Sequence, residues 1–148
     1  MKNLQDKVCQ QEILERMSKL QSDSKRHWGL MSPDQMVHHC NRSMTYILGE
    51  YTIPSKTNFL KRLIFKPLAL GSMPFPEGKA QAFEEFKATG TYDLISEKKN
   101  FDAYVRTFAG LDREAELPPS PLIGKLSFSE WGRLHYKHFD HHLRQFGL

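Results

Sequence analysis

Apolar residues return every three or four positions in four proline-free stretches, and that period predicts helices. The first stretch runs from about Asn3 to Leu20, with Leu4, Val8, Ile13, Met17 and Leu20 as its stripe. A linker follows from Gln21 to Met31. It ends in the apolar plug Trp28-Gly29-Leu30-Met31, where Trp28 is expected to pack over the end of the helices. The second helix opens on Ser32 as N-cap, with Pro33 in the first turn and Gln35 completing a capping box. Met36, Cys40, Met44 and Ile47 mark its inward face, and Gly49 ends it. The third long helix runs from about Thr91 to Ala109, with Leu94, Ile95, Phe101, Tyr104, Val105 and Phe108 inward. The fourth begins with the pair Ser127 and Glu130 and continues to about Phe146.

Between the second and third of these, Pro54, Pro67, Pro74 and Pro76 interrupt the pattern. A short helix is expected from about Asn58 to Leu70, then a long crossover with helical turns in Lys79 to Lys87. A second connection, Leu111 to Leu126, is held extended by Pro118, Pro119 and Pro121. The predicted fold is all-α, a four-helix bundle with long crossover connections, and its 148 residues suit one domain, 1–148.

Charge narrows the function classes. The net charge of +4 is spread along the chain, without the dense basic patch of a nucleic-acid binder. The densest basic stretch, Lys56 to Lys66, interleaves Lys61, Arg62 and Lys66 with Phe59, Leu60, Leu63, Ile64 and Phe65. It is expected to be an amphipathic helix with a solvated basic face, membrane or anion binding being the alternative. No signal-peptide core and no stretch of ~20 apolar residues appears, so a soluble, cytoplasmic protein without a membrane partner is expected. Cys9 and Cys40 are too few for a disulfide framework and are read as small buried side chains. Tyr46 and Tyr51 are candidate exposed aromatics for a homodimer contact.

The chemistry concentrates in the last helix. Four of the seven histidines fall in His135-Tyr136-Lys137-His138-Phe139-Asp140-His141-His142. At ~100° per residue, His135, His138 and His142 share a stripe with His141 beside it, while Asp140 points away. His138 and His142, four apart, have the spacing by which one helix offers two imidazoles to one cation. The inward face thus changes from apolar to imidazole, and burying unpaired imidazoles costs about 1–3 kcal/mol each. They need partners, water or a cation. His39 lies at the edge of the second helix's inward face, so three imidazoles converge if the two helices are neighbours. Three neutral nitrogens with an open position are the ligand set of a catalytic divalent site. Gln145, one turn further, is a candidate to orient a ligand, though surface exposure is the commoner fate of such a residue. No phosphate loop, GxSxG or HExxH motif is present.

Two segments carry a family resemblance: Trp28-Gly29-x-Met31-Ser32-Pro33-x-Gln35-Met36-x-x-His39, and the ending from Glu130 through His138-x-Asp140-His141-His142-Leu143-Arg144-Gln145-Phe146-Gly147. Together they resemble a branch of the DinB-like (YfiT-like) metalloenzyme superfamily. The resemblance implies a four-helix bundle and one divalent metal, zinc, nickel, iron or manganese, held by His39, His138 and His142. Where many members of that superfamily read HRGQ, this chain reads HHLRQ. Activities in that superfamily include thiol S-transfer with a low-molecular-weight thiol and a metal-dependent isomerisation. With an open position able to activate a thiol or a water, the expected activity is a thiol S-transferase or a hydrolase acting on a small-molecule substrate. The contrasting expectation is a non-catalytic binding or dimerisation bundle whose metal fixes the core. A fourth protein ligand, from His135 or His141, would mark that case.

Overall fold

The computed structural model describes residues 1–54, 57–78 and 86–148. Among them the chain is all-helical: α1 Lys7–Ser18, α2 Pro33–Ile47, α3 Phe59–Leu70, α4 Leu94–Ala109 and α5 Phe128–Arg144. No strand forms among the described residues. The extended connection after α4 closes on itself through one antiparallel bridge, Ser120 to Gly124. The turns expected in Lys79 to Lys87 lie outside the described residues, except for Phe86 and Lys87 at their end. No helix among the described residues is long and apolar enough to cross a membrane.

The helix starts follow local chemistry. Both capping boxes form, Ser32 with Gln35 and Ser127 with Glu130, satisfying backbone donors that a helix start leaves open. Asn58 caps α3 by accepting from the Lys61 amide, and Asp93 caps α4 through the amides of Ile95 and Ser96. That aspartate shortens α4 relative to the expected start at Thr91. The first helix is also shorter than its apolar period suggested. The amide of Leu4 donates to the carbonyl of Gly132 at 3.0 Å, drawing the first residues out of the helix and onto α5. Gly132 makes room there, since a Cβ at that position would stand 2.0 Å from Asn3 Oδ1 and push that side chain aside.

The hydrogen bonds also give helix directions. Leu4 meets Gly132, Tyr136 donates to Glu12, and Arg16 reaches Asp140 and the Leu148 carbonyl, so α1 runs parallel to α5. Asp34 accepts from the Tyr92 amide while His38 and Asn41 both engage Glu97, so α2 runs parallel to α4. Lys98 binds the carbonyls of Ser18 and Leu20, placing the end of α1 beside the start of α4. α2 packs along α4, α1 touches α4 and α5, and α3 lies against α5. The parallel pair α2 and α4 needs a long connection, which the chain supplies between Leu48 and Asp93.

The core is aromatic in its middle. Phe101, Phe108 and Phe139 are fully buried, and Phe101 meets Phe139 edge-on at 4.8 Å between centroids. Truncating such a ring to alanine costs about 3–5 kcal/mol. Leu4, Ile13, Met17 and Leu20 are buried as expected, as are Met36, Cys40, Met44 and Ile47. Val8 and Ile95 are not: they are 79% and 82% exposed. With α1 starting at Lys7, Cys9, Ile13 and Met17 form the i, i+4, i+8 row that faces inward, and Val8 falls off it. Tyr46 is buried too, its hydroxyl donating to the Pro119 carbonyl at 2.7 Å, so it is unavailable to a dimer contact.

Candidate metal centre

His39 is delivered by the well-capped start of α2. Met36, Cys40 and Met44 lock one face of that helix into the core, and His39, 3% exposed, projects beside them toward α5. On α5, Phe139 and Leu143 are fully buried and fix the rotation that turns His138 and His142 toward α2. His142 is buried and His138 half-buried. The three Nε2 atoms converge. His138 Nε2 lies 3.0 Å from His39 Nε2 and 3.0 Å from His142 Nε2, and the ligand atoms all lie within 4.8 Å of one another. Imidazole nitrogens around a tetrahedral zinc ion stand about 3.3 Å apart, from bond lengths of about 2.0–2.1 Å. The two separations from His138 Nε2 are within a few tenths of that.

The other ring nitrogens settle the tautomers. His39 Nδ1 sits 2.8 Å from the Phe86 carbonyl oxygen. A carbonyl only accepts, so Nδ1 carries the hydrogen and Nε2 presents its lone pair. His142 Nδ1 lies 2.6 Å from Gln145 Oε1, which fixes the same tautomer there. His138 Nε2 therefore faces two lone pairs, and one proton on it can serve only one of them. A cation at the common point satisfies all three. This donor set, neutral, nitrogen-only and oriented by a carbonyl and an amide, fits a divalent transition ion.

Burial is the main influence on protonation. It pulls the pKa of His39 down, against the opposing effect of the Phe86 carbonyl, and pulls those of His138 and His142 well below 6.5. Each imidazole also disfavours a charge on its neighbours. The three side chains are therefore neutral near pH 7, and a cation need not displace protons from their Nε2 atoms.

Gln145 is clamped, not exposed. It is 7% accessible, and its carbonyl accepts from the His27 amide at 2.7 Å. Gly29, at φ +82°, lets the Gln145 amide approach so closely that a Cβ there would stand 2.4 Å from Nε2. The plug around Trp28 thus does more than cover the helix ends. It holds the residue that orients His142, while the Trp28 ring packs 6.1 Å from that of His141. Sequence reasoning missed this clamp and the Phe86 carbonyl. A backbone acceptor leaves no side-chain pattern, though a glycine directly after Trp28 was a sign of close approach.

The other two histidines of the stripe stand apart. His135 is buried and stacked on Trp131 at 5.3 Å, against Phe139 at the same distance, and neither ring nitrogen has a hydrogen-bond partner. Burial alone carries its pKa down to about 3. His141 packs between Trp28 and Phe75. Neither joins the group formed by His39, His138 and His142. Asp140 points away as expected, paired with Arg16 at 2.8 Å and Arg144 at 3.1 Å. The Cys40 thiol, fully buried beside the Met36 sulfur, is pushed far up by desolvation, which removes it as a nucleophile. Both cysteines are free thiols.

Comparison with known proteins overturns the DinB-like assignment. No curated protein and no solved structure matches the chain. The match is to a different family model, over residues 2–147. The physical reason for the misassignment is that a histidine pair four apart, facing a third on a neighbouring helix, specifies a kind of site rather than a lineage. With capped starts at Ser32 and Ser127 and the convergent imidazoles between them, the chain belongs to the DUF1569 family, proteins of unknown function.

Proposed function

We propose that this protein is a divalent-metal-dependent enzyme acting on a small-molecule substrate, with His39, His138 and His142 as the metal ligands. The observation that carries the reading is the convergence of three Nε2 atoms, two of them presenting lone pairs oriented by Nδ1 contacts to Phe86 and Gln145. A bound zinc, nickel, iron or manganese ion would supply Lewis-acid polarisation and a positive charge favouring an anionic nucleophile. The chain's own residues hold the ligands neutral and shield them from bulk water. Of the two reactions considered, hydrolysis is favoured. Thiol transfer drew its support from the DinB-like resemblance and has no separate observation behind it.

The same reading takes α1, α2, α4 and α5 as a four-helix bundle forming one domain, with the imidazoles fastening α2 to α5. It places the protein in the cytoplasm, where its two free thiols would stay reduced. The contrasting reading, a metal that only braces a binding protein, requires a closed coordination shell. His135 and His141 stand outside the nitrogen cluster, which favours an open one.

The test is water access to a paramagnetic substitute. Manganese-loaded protein should show enhanced water-proton relaxation, and substrate-like anions should reduce it. Relaxation no greater than that of a fully coordinated ion would overturn the enzyme reading in favour of the structural one.

A further inference from the structure

α3 is built the wrong way round for a solvated helix. None of its residues is buried. Phe59 is 79% exposed, Leu60 63% and Ile64 58%, with Leu63, Phe65 and Leu68 also open. Leu60, Ile64 and Leu68 stand at i, i+4 and i+8 and form one apolar ridge. Two basic residues reach back to the rest of the protein. Lys66 pairs with Glu130 of α5 at 2.9 Å, and the Arg62 guanidinium lies over Gly124. Lys137 of α5 binds the carbonyls of Leu68 and Gly71, fastening the end of α3. The helix is tethered through Lys66 and Lys137, while Lys61 and Arg62 remain exposed as the expected basic face, so it is open to solvent on its apolar side as well.

We infer that the outward face of α3 is the contact surface of a homodimer, two copies meeting helix to helix about a two-fold axis. Two observations favour a second copy. First, the area is right: these six side chains leave roughly 600 Å² open, about half of the ~1,200 Å² total that the smallest stable interfaces bury and at the upper end for a monomer's patch. Second, the surface is self-complementary. A shallow groove lined by Phe59, Leu63, Pro67 and Leu70, with Arg62 and Lys66 at its side, runs beside the Leu60–Ile64–Leu68 ridge, so each copy offers a ridge and a groove to the other.

Sedimentation velocity over the micromolar range tests this without reference to any metal. The parent should sediment at twice the 17.2 kDa chain mass. Ile64→Lys and Leu60→Lys should raise the dissociation constant by about 100-fold with unchanged helix content, since both positions are open in the single chain. Val8→Lys, at an exposed apolar site on α1, should leave the dimer intact. A parent that stays monomeric overturns the proposal, as does a dimer indifferent to both α3 substitutions. A monomer that binds vesicles of anionic phospholipid overturns it in favour of a membrane surface.

Discussion

The imidazole cluster between α2 and α5 and the outward face of α3 are opposite departures from one rule. The first puts polar groups where apolar ones belong, and the second does the reverse. Each is rigidly held. Gln145 and the Phe86 carbonyl fix the imidazoles, while Glu130 and Lys137 fix α3. The difference is in what would complete them. Lone pairs converging on a point call for a cation, and an apolar ridge beside a groove calls for another apolar surface. A buried polar cluster and an exposed apolar one are both more informative than a well-formed core, because a core is already satisfied.

The comparison can be broken at either end, most forcefully at the first. Stripping metal with a chelator should lower thermal stability, and restoring it should reverse the loss. The stabilisation expected is about 4 kcal/mol when free metal is 1,000 times its dissociation constant. An unchanged melting temperature after chelation and reconstitution would count against the site.

A smaller effect sharpens the role of the clamp. Gln145→Leu removes the acceptor for His142 Nδ1 and should weaken metal binding by about 10–100-fold. Gly29→Ala adds a Cβ at 2.4 Å from the Gln145 amide nitrogen in a left-handed backbone, and should weaken binding in the same direction. Titration with a competing chromophoric chelator measures both. Equal affinity in Gln145→Leu and parent would show the contact to be incidental.

His135 separates buried imidazoles that serve the site from one that only fills space. Its folded pKa of about 3 lies below the ordinary 6.5, so the unfolded chain takes up a proton there that the folded chain refuses. Its contribution is intact above pH 6.5 and is lost as pH falls toward 3, at up to about 1.4 kcal/mol per pH unit. His135→Leu should therefore flatten the acid limb of stability measured by denaturant unfolding, and leave metal stoichiometry unchanged. Loss of metal in that variant would place His135 among the ligands.

The smallest effect is expected on α3. Ile64→Ser should change the stability of the single chain by no more than about 0.5 kcal/mol, since the side chain is already exposed. Denaturant midpoints at dilute concentration measure it. A large loss would mean that α3 supports the core.

The sequence announces the helices where periodicity and caps agree. Ser32 with Gln35, Ser127 with Glu130 and Asn58 each place a start within a residue, because a cap is a local hydrogen bond. His39, His138 and His142 are legible because helical spacing fixes which residues share a face. What was not legible depends on partners distant in the chain. Leu4 leaves the first helix because Gly132 accepts its amide, and Gln145 turns inward because Gly29 makes room. The open apolar ridge of α3 was hidden for a related reason. Periodicity shows that a helix has two faces, but only distant partners such as Glu130 and Lys137 decide how it lies on the protein.

The central claim is that three imidazoles converge to hold a divalent cation, and metal content per chain tests it most directly. The protein should be purified without an affinity tag, beside His138→Ala, and analysed for transition metals by mass spectrometry. The account predicts about one ion per chain in the parent and almost none in the variant, because His138 bridges the other two nitrogens. A parent that remains empty after reconstitution with zinc, nickel, iron and manganese, or a variant that keeps its full complement, would contradict it.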